Sequence, residues 1–73
     1  MKHIYKIKIE NSRQMVDFVG SVVKLPTTVR LSNSSNQSAN AKSMLGVIMA
    51  MHWDPLFCTA DMDIYDQISK FCV

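Results

Sequence analysis

Between residues 5 and 9, Tyr5, Ile7 and Ile9 alternate with Lys6 and Lys8, and from Met15 onward the apolar residues Met15, Phe18, Val19, Val22 and Val23 fall at helical spacing. A period of two sets one side of a strand against a core and the other in water, whereas a period near 3.6 gathers one stripe along a helix. A chain that changes period within so few residues is expected to pack a strand and a helix on a shared apolar surface, and the expected class is a small α+β domain. Asn11 and Ser12 stand at the change, and both types cap a helix by accepting a backbone N–H. Pro26 ends the helical pattern, and Gly20 weakens that helix slightly without forbidding it.

After the proline, Thr27, Val29 and Leu31 alternate with Thr28 and Arg30 and predict a second strand. Residues 32–40 are rich in Ser and Asn and suit a turn followed by a short, weak edge strand near residues 37–39, where little apolar surface is available to bury. Asn40 is a candidate cap for a second helix running from Ala41 to about Ala50. Residues 52–55 break that pattern. Residues 56–60 read as a short buried strand, and Asp61 is placed to cap a last helix carrying Ile64, Tyr65, Ile68 and Phe71. The expected order is βαββαβα, with no internal repeat.

Seventy-three residues suit a single domain, residues 1–73, and nearly half of them are apolar, the profile of a packed core rather than of a disordered chain. The formal charge of +2 argues against a nucleic-acid partner, which ordinarily requires a clustered basic surface. It covers an asymmetry, because residues 1–42 hold seven basic side chains against Glu10 and Asp17, and residues 43–73 hold Lys70 against Asp54, Asp61, Asp63 and Asp66. Lys2, Lys6, Lys8 and Arg13 favour an anionic partner or form a solvated strand face, the latter being the commoner use of such residues. Cys58 and Cys72 lack CxxC spacing, no apolar leader follows Met1, and the apolar stretch at 44–51 is too short to cross a bilayer. The expectation is a reduced, cytoplasmic protein without membrane insertion. Two His and two Cys without ligand spacing predict neither a metal site nor a cofactor.

The segment Asn40-Ala41-Lys42-Ser43-Met44-Leu45-Gly46-Val47 resembles the sequence that opens the second helix of HPr-type phosphocarriers of the bacterial sugar phosphotransferase system, where a regulatory serine stands at the helix start. The resemblance extends back through Val29-Arg30-Leu31 and the first helix, with an insertion in the polar loop. It implies an open-faced β-sandwich, a small four-stranded antiparallel sheet covered on one face by helices. It further implies a regulatory or protein-interaction domain rather than an enzyme, with Ser43 as the phosphorylation site. A serine kinase, a transcription regulator or components of the phosphotransferase system are the partners it suggests.

The family's carrier motif, His-Ala-Arg-Pro at the start of the first helix, is not retained. Matching the first helices sets Asn11 on the histidine, Ser12 on the alanine, Arg13 on the arginine and Gln14 on the proline; matching the first strands moves that register but recovers no histidine. An amide has no basic lone pair like that of neutral imidazole and forms no labile phosphoramidate, so no residue is expected to act as the family's catalytic group. His3 and His52 are the other imidazoles, and a phosphocarrier using one of them, or a purely structural module, are the alternative readings. Ser43 is a capping serine or a regulated one, Lys42 an anion contact or a solvated charge, and Arg13 with Ser12 a phosphate or partner contact or an ordinary first turn. Met44, Leu45, Ile48, Met49 and Met51 cannot all be core in so small a domain. By the resemblance Met44, Leu45 and Ile48 are exposed and adjoin Val16 and Gly20 as a docking patch.

Overall fold

The computed structural model describes residues 2–73. The elements run β1 (His3–Ile7), α1 (Ser12–Val22), β2 (Val29–Ser32), β3 (Ser38–Asn40), α2 (Met44–Ala50), β4 (Leu56–Ala60) and α3 (Tyr65–Ile68), followed by a 3₁₀ turn at Ser69–Phe71. The four strands form one antiparallel sheet in the order β1-β4-β2-β3, so β4 inserts between the first two strands. Alternation along the strands turns Ile7, Val29, Leu31, Leu56, Cys58 and Ala60 toward the helices, where all are buried. Ile4, Lys6 and Arg30 point to the opposite face, which no helix covers. The fold is α+β with an open sheet covered on one side, and its element order is the expected one.

Phe18 and Val22 of α1, Val47 and Ala50 of α2, and Ile64, Ile68 and Phe71 near the C-terminal end close over the sheet. Phe18 meets Phe71 edge to face, with centroids 5.3 Å apart and planes at 85°, a geometry favoured by the ring quadrupoles. Burial also pushes the Cys58 thiol up to about 12, with the neighbouring Cys72 adding to the effect.

Boundaries differ from expectation where backbone partners outweigh the local pattern. β1 occupies residues 3–7 rather than 5–9, because the N–H of Lys8 donates to Phe71 and that of Val73 donates to Lys6, so the final residues take the edge beyond Ile7. Ile9 nonetheless stays buried, and the apolar phase of the segment is as expected. Helix α2 begins at Met44, not at Ala41, and its cap is Ser43 rather than Asn40. Asn40 instead ends β3 and accepts from the Lys42 N–H through Oδ1 at 2.9 Å, while Ala41, fully buried, donates its N–H to Val29. Asp61 does not cap α3; Asp63 holds that end, accepting from the Tyr65 N–H at 3.0 Å and from the Tyr5 hydroxyl at 2.8 Å. The same Tyr5 oxygen accepts from the Ile64 N–H at 3.0 Å, which ties the entry of α3 to β1.

The polar β2–β3 connection is held by Asn33, whose Oδ1 accepts from the N–H groups of Ser35 and Gln37. Asn36 takes a left-handed backbone with φ 64, a region that Asn enters at less cost than most residues. The Ser- and Asn-rich composition therefore builds a turn, as read from the sequence.

Candidate functional site

The surface formed by the outward sides of α1 and α2 collects most of the residues singled out in the sequence. Its first part is the start of α1. Asn11 is extended and accepts from the Gln14 N–H through Oδ1 at 2.9 Å, and Gln14 reaches back to accept from the Glu10 N–H at 2.9 Å. These two bonds satisfy donors that a helix start otherwise leaves open. Ser12 and Arg13 follow in the first turn, both exposed, and the Arg13 guanidinium forms no hydrogen bond or ion pair with any of the described residues.

Ser43 repeats the device on α2, accepting from the Gly46 N–H through Oγ at 3.2 Å. The β3–α2 corner is tight: a Cβ on Gly46 would stand 2.7 Å from the Asn40 carbonyl oxygen, so only glycine passes there without displacing backbone. Lys42 is half-buried, and its ammonium donates to the carbonyl of Leu25 just beyond α1. Its charge thus braces the corner against the end of α1 and is already engaged, unlike that of Arg13.

Beyond the two caps the surface turns apolar. α1 and α2 are packed neighbours, and each uses its inner side for the core. Outside, Val16 and Gly20 lie four residues apart on α1, with open space above Gly20. On α2, Met44 is 42 % exposed, Leu45 68 % and Ile48 43 %. Met49, exposed to 65 %, belongs with them although the sequence reading left it outside the patch. The signal was present, since Leu45 and Met49 are four apart and share a helix face. Met51, by contrast, is partly buried against the core.

The two imidazoles lie elsewhere. His3 is on β1, stacked beside Tyr5 with centroids 6.5 Å apart, and His52 is exposed in the turn after α2. Neither stands at a helix N-terminus. Asp63, near His3, is held below the usual carboxylate range by the Tyr65 N–H, then by the Tyr5 hydroxyl and by the positive field of His3. Burial raises the Tyr5 phenol, an effect partly offset by the Ile64 N–H. This group anchors α3. Among the described residues no cluster of three or more His, Cys, Asp or Glu is placed to hold a metal ion, and no helix is long and apolar enough to cross a membrane. Trp53 is partly buried and lines a small cleft with Lys6, Lys8, Ile9 and Val73 beside the end of β1.

Against known proteins, no family model, no curated protein and no solved structure matches this chain.

Proposed function

We propose that this chain is an HPr-like regulatory or protein-interaction domain that docks partners on the outer surface of α1 and α2 and does not carry phosphohistidine. The observation that carries the reading is the contiguous set of outward apolar side chains on α2, Met44, Leu45, Ile48 and Met49, which begins directly at the Ser43 cap. Exposed apolar groups on a small domain cost solubility and are a regular feature of surfaces that bind other proteins. Methionine suits several partners because its unbranched thioether repacks readily. Val16 and the bare backbone at Gly20 extend the patch onto α1, while Arg13, Ser12 and Ser43 give it a polar rim that selects among partners.

The HPr-like part of the reading rests on the Ser43 segment, the βαββαβα order and the one-sided cover of the sheet. Asn11 is occupied as a helix cap and offers no imidazole, which supports a role in regulation rather than transfer. Phosphorylation of Ser43 would add a charge of about −1.5 to −2 beside the patch, where helix-start N–H groups favour an anion.

Incubation with phosphoenolpyruvate and the first enzyme of the phosphotransferase system, and separately with a serine kinase that acts on HPr, tests the reading by mass spectrometry. The expected result is no acid-labile label in the first reaction and one phosphate on Ser43 in the second, abolished in Ser43→Ala. Acid-labile phosphate on His3 or His52 would make the chain a carrier. An unmodified Ser43 beside a modified HPr in the same tube would return that residue to a cap.

A further inference from the structure

The sheet face away from the helices gathers cations that are far apart in sequence around an aromatic ring. On that face the pairing register aligns Ile4, Thr59, Arg30 and Asn40 in one row across the strands, and Lys6, Phe57, Ser32 and Ser38 in the next. Lys6 and Arg30 are exposed, and Phe57 and Thr59, on the inner strand β4, are partly buried and keep part of their surface open on this face. Lys2 borders the same face and lines a shallow depression with Thr28, Arg30, Thr59 and Asp61. Arg30 donates to the Ser38 hydroxyl at 2.9 Å, and neither Lys2, Lys6 nor Arg30 forms an ion pair among the described residues. Asp61, at the rim, is the acidic side chain bordering this depression.

We propose that this open sheet face binds single-stranded nucleic acid, with a base stacked on Phe57 and flanking phosphates on Lys6 and Arg30. The small net charge counts against a polyanion only if charges are spread evenly, and here pairing concentrates positive ones on one face. A single strand alternates flat π-faces with anions, which matches a ring set beside one cation and diagonal to another, with hydroxyl and amide groups around them. A lipid surface fits less well, because Phe57 lies partly buried on the inner strand and the rest of its row is Lys6, Ser32 and Ser38. An extended acidic peptide usually adds to a sheet edge and has no use for a ring in the middle of the face. This surface lies across the sheet from the α1–α2 patch and does not depend on the reading given to that patch.

The test is fluorescence anisotropy of labelled oligo-dT and oligo-U with the full chain, beside a duplex of equal length, polyglutamate and vesicles containing phosphatidylserine. Single strands are expected to bind, the dT and U arms deciding between DNA and RNA. With two or three phosphate contacts, affinity should fall about 7- to 20-fold between about 50 and 200 mM salt. Phe57→Ala should weaken binding about fivefold or more through lost stacking. Phe57→Leu keeps the apolar cover and should show the same loss, so a folding defect is distinguishable from a missing ring. Lys6→Gln and Arg30→Gln should each weaken binding and flatten the salt dependence. Single strands that do not bind, or that bind equally well to Phe57→Leu and Arg30→Gln, overturn the proposal. So does a preference for the duplex, polyglutamate or vesicles.

Discussion

The inner and outer sides of α1 and α2 are built from similar aliphatic residues and meet opposite surroundings. Phe18, Val22, Val47 and Ala50 are sealed against the sheet, while Val16, Leu45, Ile48 and Met49, one or two residues away, face solvent. On α1 the polar residues Arg13, Asp17 and Ser21 mark the outer side, and the stripe is readable. On α2, only Gly46 and Ala50 interrupt the larger apolar side chains between residues 44 and 51, and periodicity does not choose a side. The sheet chooses it. The same hydrophobic chemistry thus yields stability on one side of the layer and a surface available for recognition on the other.

Phe18→Ala should have the largest effect, because it empties a fully buried site and leaves Phe71 without its edge-to-face partner; a loss of about 3–5 kcal/mol is expected in urea unfolding. A cost below 1 kcal/mol would mean that the inner side is as loosely packed as the outer. Gly46→Ala ranks next. Alanine favours a helix by about 1 kcal/mol, but the added methyl overlaps the Asn40 carbonyl, and overpacking of this kind costs about 1–3 kcal/mol, so a net loss is expected. A stabilised variant would show that the β3–α2 corner yields easily.

Leu45→Ala should change stability by no more than about 0.5 kcal/mol, since its side chain is already in water, yet weaken capture of a docked partner by about 1 to 3 kcal/mol. Loss of stability as large as that of an inner residue would erase the distinction between the two sides.

The two remaining tests use pH. The Cys58 thiol is raised in the folded state, so its contribution to stability is complete below its ordinary 9.0 and is lost as pH rises toward about 12; Cys58→Ala should reduce that alkaline slope in thermal melts. Asp63 is lowered in the folded state, and its contribution is present above its ordinary 3.8 and lost as pH falls through the folded value. Asp63→Asn should flatten the acid limb only slightly, because the carboxylate is exposed. A large change there would make the Tyr5–Asp63 contact a principal support of α3.

Strand and helix identities were legible wherever one periodicity held without competition, as at Ile7 and Ile9, Phe18 and Val22, Val29 and Leu31, and residues 56–60. Asn11 was legible as a cap for the same local reason, since its acceptor needs only the N–H three residues on. Asn40 misled because an acceptor ahead of apolar residues is equally suited to a turn, and pairing with Arg30 made it the end of β3. Asp61 misled because Tyr5, from the other end of the chain, engages Asp63. Lys42 looked free until Leu25 was brought within reach of its ammonium.

Sequence alone therefore determined the order of elements, the apolar phase of each strand and the absence of an imidazole from the start of α1, because these depend on neighbours within a few residues. Tertiary structure decided which side of α2 is covered, which charges are engaged and which cations share a face. Those outcomes depend on which strands pair and where the helices land, and such contacts join residues whose separation along the chain leaves no local pattern to read.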